Sequence, residues 1–337
     1  MNPWIQFGLS AFLVVIAGVK LTGYADNIAS KTKLGGLWVG SILLALATSL
    51  PEVVTAVSSG ILEFPDIAIG NVLGSNIFNI AIIAMLDLMD GKRSILAKVS
   101  LGHVLAGAFG MVLACLVVIG ILVDFPEVAF GIGLDSVIIL AVYLFGVRMI
   151  TRYEKRSPED HEIIWTKCNE EECRVAEASE IPLNRSIIGF IIMSIAIVVA
   201  GTFLSISGER IAVITGLGSS FIGSTLVAIA TSLPEIVAGV TAVRIGAFDL
   251  AIGNLLGSNI FNMLIVVVAD IFYRPGPILL AVAPVHAVTA IFGLLLSSVV
   301  VIGLFYRSHR SYFHMGPDTI LIFIGYLAAT YMIYILR

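Results

Sequence analysis

Two glutamates stand where a glutamate is costly. Glu52 and Glu235 each lie about 17 residues into a long apolar stretch, which at 1.5 Å per residue is about 25 Å along a helix. An ionised carboxylate at that depth in a membrane is expensive and by default marks an ion pathway. A structural ion pair would need an intramembrane Lys or Arg. The stretches around the two acids offer none at depth.

The neighbouring residues supply further oxygen. Pro51 and Pro234 precede the acids, and a proline has no N–H for the carbonyl one turn back, here Ala47 and Ala230. In hydrocarbon a freed carbonyl needs another partner, and a broken helix lining a cavity can give it a cation. Ala45, Thr48, Ser49 and Glu52 fall at i, i+3, i+4 and i+7, one helix face, and Ala228, Thr231, Ser232 and Glu235 repeat that spacing. In the next apolar stretch Asn71, Ser75 and Asn79 recur at every fourth position, as do Asn254, Ser258 and Asn262. These are hard oxygen donors with no thiolate or imidazole, a set that suits sodium or calcium and not zinc or copper. A lone Asn or Ser in a span is more often interhelical glue; a stripe of three beside each acid is read as site-lining.

The elements that must position them follow from composition. The chain has 337 residues, a mean hydropathy of +1.04 and 12% charged residues, about half the charge of a soluble domain. Ten apolar runs are each long enough to cross a hydrocarbon core about 30 Å thick. They cover roughly 4–20, 35–60, 66–88, 99–123, 134–151, 185–206, 218–243, 249–271, 277–306 and 317–336. None alternates with period two, so helices are expected: an all-α membrane protein of ten transmembrane helices. With the N-terminus outside, nearly all of the 19 basic residues fall on the inner side, leaving Arg210, Arg274 and Arg337 outside. The expectation is a multi-pass protein of the cell membrane with both termini extracellular. No cleavable signal peptide is evident, because the first apolar run lacks a basic leader. Residues 152–184 form the one long polar segment and read as a cytoplasmic linker whose acids lack calcium-loop spacing. Cys115 reads as a small core residue, and Cys168 and Cys173 are too loosely spaced for a metal claim.

The chain is written twice. Residues 40–79 and 223–262 align without a gap at an offset of 183 and are identical at 24 of 40 positions. The same offset pairs Gly18 with Gly201, Asp87 with Asp270, His103 with His286, and Asp135 with Asp318. Each half, 1–151 and 185–337, is a five-span unit. Five is odd, so equivalent spans cross the membrane in opposite directions: two inverted five-helix repeats, an architecture of secondary transporters with the site near the midplane.

The segments Thr48–Glu52 and Thr231–Glu235, both TSLPE, each followed by GNxLGSNIFN, resemble the alpha repeats of the cation/calcium exchanger superfamily, and among its members the prokaryotic sodium/calcium exchangers. The resemblance covers all ten spans in layout. It implies that Glu52 and Glu235 ligate calcium with the backbone carbonyls of Thr48 and Thr231. It implies sodium sites drawing on Ala45, Ser49 and Ser75, and on Ala228, Ser232 and Ser258, with Asn79 lining the middle. Some relatives, the potassium-dependent exchangers among them, carry aspartate at the position of Asn262; its absence speaks against potassium co-transport and leaves two fixed charges. Proton-coupled relatives usually have a GNA-type segment where this chain has Ala47-Thr48-Ser49. The implied function is a secondary antiporter of calcium and sodium in the lipid bilayer, not an enzyme, with no cofactor and no nucleic-acid partner.

Proton/calcium or other divalent exchange stands as the alternative, and a channel or scaffold has no need of two mirrored carboxylates in bent helices. Other polar groups take quieter readings. Asp135 and Asp318 are expected as helix N-caps, Asp87 and Asp270 as span ends at the interface, and His103 and His286 as packing or interfacial hydrogen bonding. Gly70 with Gly74, and Gly253 with Gly257, are expected to be close-packing surfaces.

Overall fold

A computed structural model describes residues 2–32, 34–91, 94–123, 125–129, 131–156, 181–215, 227–307 and 316–336. Its long helices are α1 (Pro3–Lys31), the broken pair α2 (Gly35–Thr48) and α3 (Leu50–Ile61), α4 (Pro65–Asp90), α5 (Gly102–Leu122), α6 (Leu134–Arg156) and α7 (Leu183–Thr215). A second broken pair, α8 (Ala228–Thr231) and α9 (Leu233–Arg244), precedes α10 (Phe248–Phe272), α11 (Val285–Tyr306) and α12 (Pro317–Leu336). A two-stranded hairpin, β1 (Glu127–Ala129) and β2 (Ile132–Gly133), joins α5 to α6.

Among the described residues eight helices are long and apolar enough to cross a membrane, and the bent α2–α3 pair makes a ninth candidate. Each coincides with an expected span. The beginning of the seventh expected span, 218–226, lies outside the described residues, so the described part carries nine candidates and not ten. Most of the polar linker, with Cys168, Cys173 and its acidic runs, also lies outside them.

Three boundaries differ from the hydropathy reading, one of them at the end of α7, which runs to Thr215 and not 206. Helix α1 runs to Lys31, well past position 20. Leu21, Ala25 and Ile28 continue its buried face while Lys20 is exposed, so helical periodicity outlasts the uniformly apolar stretch. The ninth span is divided: Pro284 stands just before α11, and a separate turn covers Ile278–Ala281.

Large apolar side chains such as Phe12, Ile195 and Leu321 are exposed on the outside, where lipid and not water is the expected neighbour. Helices α4 and α10 are the most enclosed, with Ala68–Asn76 and Leu250–Ile260 buried without interruption. Helix α1 lies along α7 and reaches over to α9, while α7 reaches over to α3. Glycine permits both crossings: a Cβ on Gly18 would come within 2.8 Å of Val237, and one on Gly201 within 2.4 Å of Pro51. A third approach seats α10 against α2, where a Cβ on Gly257 would fall 2.2 Å from the Ser41 carbonyl oxygen. Gly253 and Gly257 are therefore the close-packing surface expected of them. For Gly70 and Gly74 the equivalent of Ser41 is Ser224, outside the described residues.

Candidate functional site

The broken helices place the acids. At Ser49 the backbone leaves helical geometry (φ −88°, ψ 8°), and α3 departs from α2 at 44°. Ser232 repeats this break (φ −81°, ψ 8°) between α8 and α9. Pro51 and Pro234 sit in the first turn after each break, where a missing N–H costs nothing to the new helix but leaves the old one unfinished. Residues Val39–Leu44, just ahead of the first break, are wound as π-helix, a widening common near functional positions.

Glu52 and Glu235 are each 1% exposed, and each reaches residues of the opposite half. The Ser49 hydroxyl donates to Glu235 Oε1 at 2.8 Å, and the Ser232 hydroxyl to Glu52 Oε1 at 3.4 Å. The Ser258 hydroxyl also donates to Glu235 Oε1 at 3.4 Å, whereas its counterpart Ser75 has no partner. Thr48 donates to Asn254 Oδ1 and Thr231 to Asn71 Oδ1, both at 3.1 Å. No ion pair among the described residues involves either glutamate.

Among the described residues of the acids and the two polar stripes, five buried oxygens are left without a hydrogen-bond partner, Glu52 Oε2, Glu235 Oε2, Ser75 Oγ, Asn79 Oδ1 and Asn262 Oδ1, together with the amide nitrogens of Asn71 and Asn254. Buried polar atoms are almost always satisfied, and all five can coordinate a hard cation. Of the expected residues, Ser49, Ser232 and Ser258 bond the acids, and Thr48 and Thr231 bond the asparagine stripe of the opposite half; the alanine carbonyls stand differently. The Ala45 carbonyl already accepts from Ser49 N at 3.0 Å and Thr48 Oγ1 at 3.3 Å, and the Ala228 carbonyl from Ser232 N and Thr231 Oγ1 at 3.0 and 3.2 Å. To act as ligands these two carbonyls must exchange one of those bonds.

The motifs also held residues not singled out from sequence. Asn76 and Asn259, each one position beyond a site serine, clasp one another across the two halves (below). Asp66 meets His286 at 3.0 Å, and Asp249 meets His103 at 2.8 Å. Both histidines are fully buried, so their expected hydrogen-bonding role has a specific partner from the other half. The signal was available, since Asp66 and Asp249 sit at the same offset of 183. Asp87 and Asp270 lie near the ends of α4 and α10 and are buried there. Asp87 accepts from Ile95 N and Asp270 from Ile278 N at 2.6 and 2.7 Å, so each pins the turn that follows its own helix. Asp318 lies inside the first turn of α12 and accepts from Ser94 at 3.1 Å, a tertiary bond beyond any capping role.

Most of the chain matches one family. The model for "Sodium/calcium exchanger protein" fits it twice, over residues 2–151 and 185–335. The chain belongs to that family. Inner membrane protein YrbG of Escherichia coli is 26% identical over 270 residues, 79% of this chain and 78% of its own length. Sodium/calcium exchanger MaX1 of Methanosarcina acetivorans is 26% identical over 290 residues, 78% of this chain and 83% of its own. A solved structure of the sodium-calcium exchanger NCX_Mj, soaked with sodium and strontium, shares the fold with a TM-score of 0.69 at 21% identity, covering 97% of each chain. This exchanger is accordingly a multi-span membrane protein of a cation/calcium exchange family.

Proposed function

We propose that this protein is a secondary antiporter that exchanges sodium for calcium by alternating access, through ten helices in two inverted halves. The observation that carries the reading is the set of five unpartnered buried oxygens on the two carboxylates and the polar stripes, with no ion pair to either carboxylate among the described residues. Calcium brings two positive charges to two carboxylates, so the loaded site is neutral and can pass a low-dielectric barrier. Glu52 and Glu235 are the calcium ligands in this reading, with the Thr48 and Thr231 carbonyls beside them. Sodium replaces calcium at the hydroxyl and carbonyl positions around Ser49, Ser75, Ala45, Ser232, Ser258 and Ala228. Asn79 and Asn262 line the middle.

A carboxylate pair alone would serve protons, and the oxygen stripes would then have no purpose; this favours sodium as the coupling ion. More than two sodium ions against two carboxylates leave a net positive charge, so exchange should respond to membrane potential. The name of one relative, an inner membrane protein, supports a cell-membrane setting, and the distribution of Lys and Arg supports both termini outside with 152–184 as the inner linker.

The test uses purified protein in sealed vesicles. An outward sodium gradient at fixed pH should drive radioactive calcium uptake, and an inside-negative potential should alter its rate. Uptake that follows an imposed pH gradient and ignores sodium would overturn sodium coupling in favour of proton/calcium exchange.

A further inference from the structure

The two asparagines beside the site form a closed network on the pseudo-twofold. Asn76 Nδ2 donates to the Asn259 backbone carbonyl at 3.4 Å, and Asn259 Nδ2 donates to the Asn76 carbonyl at 3.3 Å. Asn79 Nδ2 donates to Asn259 Oδ1 at 3.0 Å, and Asn262 Nδ2 to Asn76 Oδ1 at 2.8 Å. The members are buried, Asn76 being 8% exposed and Asn259 5%. Neither touches a glutamate.

We propose that Asn76 and Asn259 are positioning residues: they dictate that Asn79 and Asn262 turn carbonyl oxygen, and not amide nitrogen, away from the clasp and towards the cation. The proposal rests on the cation-exchange reading above. An asparagine amide has two nearly isosteric ends of opposite character, and only its partners decide which way it lies. A backbone carbonyl can only accept. Each clasp residue must therefore give its nitrogen to the backbone opposite, which aims its Oδ1 at the neighbouring amide. That amide must answer with nitrogen, because reversal would set two acceptors 2.8 or 3.0 Å apart in a buried space. The remaining atoms, Asn79 Oδ1 and Asn262 Oδ1, are the ones left without partners. Without the clasp either amide could present its NH2 group, a donor that repels cations. Each half thus sets the polarity of a site residue belonging to the other: Asn259 acts on Asn79, and Asn76 on Asn262.

Helix adhesion is the competing role for such a network, and a double-mutant cycle separates the two. The calcium concentration for half-maximal exchange is measured for Asn76→Ala, Asn262→Ala and the double variant, and likewise for Asn259→Ala with Asn79→Ala. Each clasp variant should raise it about tenfold, with the double no worse than the Asn262→Ala or Asn79→Ala variant alone, as for residues acting as one unit. Thermal midpoints in detergent should stay close to wild type. Unchanged half-saturation, additive effects, or loss of folding in both Asn76→Ala and Asn259→Ala would overturn the proposal in favour of adhesion. The wild-type flux separately tests the function, and the cycle is run on whichever cation the wild type carries.

Discussion

At the scale of single residues, the two glutamates supply the only fixed charge assigned to the site. Glu52→Gln or Glu235→Gln keeps size and most hydrogen bonding but leaves one negative charge against a divalent ion. Calcium exchange should fall to background in vesicles while elution in detergent stays monodisperse; near wild-type flux in either well-folded variant would remove the assignment. In the proposed reading the serines serve the other ion. Removing the Ser75 and Ser258 hydroxyls by alanine should raise the sodium required for half-maximal exchange more than the calcium, and equal shifts would count against separate sodium positions. These residues were legible because cost made them so: an acid in an apolar run has few explanations. Asn76 and Asn259 were not legible. An asparagine in a polar stripe gives no sign, from spacing alone, of whether it faces an ion or another asparagine. The partner lies 183 positions away, and only the fold brings the two within bonding distance.

Helices are held at their distances by what glycines lack. The Ser41 carbonyl occupies the space where a Cβ on Gly257 would sit, 2.2 Å away, and it is backbone that cannot swing aside. Gly257→Ala should therefore cost roughly 1–3 kcal/mol, seen as a lowered thermal midpoint. Gly8→Ala, with nothing within 4 Å of the new methyl, should be neutral or slightly stabilising, since glycine in a helix costs about 0.5–1 kcal/mol relative to alanine. Equal midpoints for the two variants would show that the α2–α10 approach is not tight. The breaks were foreseeable from proline chemistry, yet they fall at Ser49 and Ser232, two residues before the prolines. The length of α1 was not foreseeable from hydropathy, because its last turns are buried on one face only and carry Lys31 and Asn27 on a polar end. Asn27 bonds Ser186 at the start of α7, a contact that a window average cannot register.

For the molecule as a whole, the distribution of Lys and Arg makes one orientation testable. In a background where Cys115, Cys168 and Cys173 are replaced, a cysteine at exposed Glu127 should react with an impermeant reagent from outside, and one at exposed Arg244 only from inside. Outside labelling of Arg244→Cys would reverse the topology. The internal repeat was the most legible property of all, because a repeat is a relation within the sequence and needs no physical constants. The route by which ions reach the acids was not legible: Glu52, Glu235, Ser49 and Ser232 are buried in this conformation, so exchange as proposed needs a movement that neither composition nor spacing encodes.

The mirrored bonds have a further meaning for energy. Two identical halves in opposite orientation would give inward-open and outward-open conformations that are images of one another, and hence equally populated. Any preference between them must come from positions where the copies disagree. Between α1 and α7 only scattered identities survive, Gly18 with Gly201 among them, whereas the stretch around the acids keeps 24 of 40. Within the mirrored network the disagreements can be named. Ser94 donates to Asp318, but the matching place beside Asp135 is Pro277, which has no hydroxyl to give. Ser258 reaches its glutamate, and Ser75 does not. One hydrogen bond is worth about 0.5–1.5 kcal/mol net, enough to tilt a degenerate pair of states by roughly two- to tenfold. Under the proposed alternating access, the resting bias would be written in these copying errors, and restoring symmetry at one of them should move the resting equilibrium towards parity.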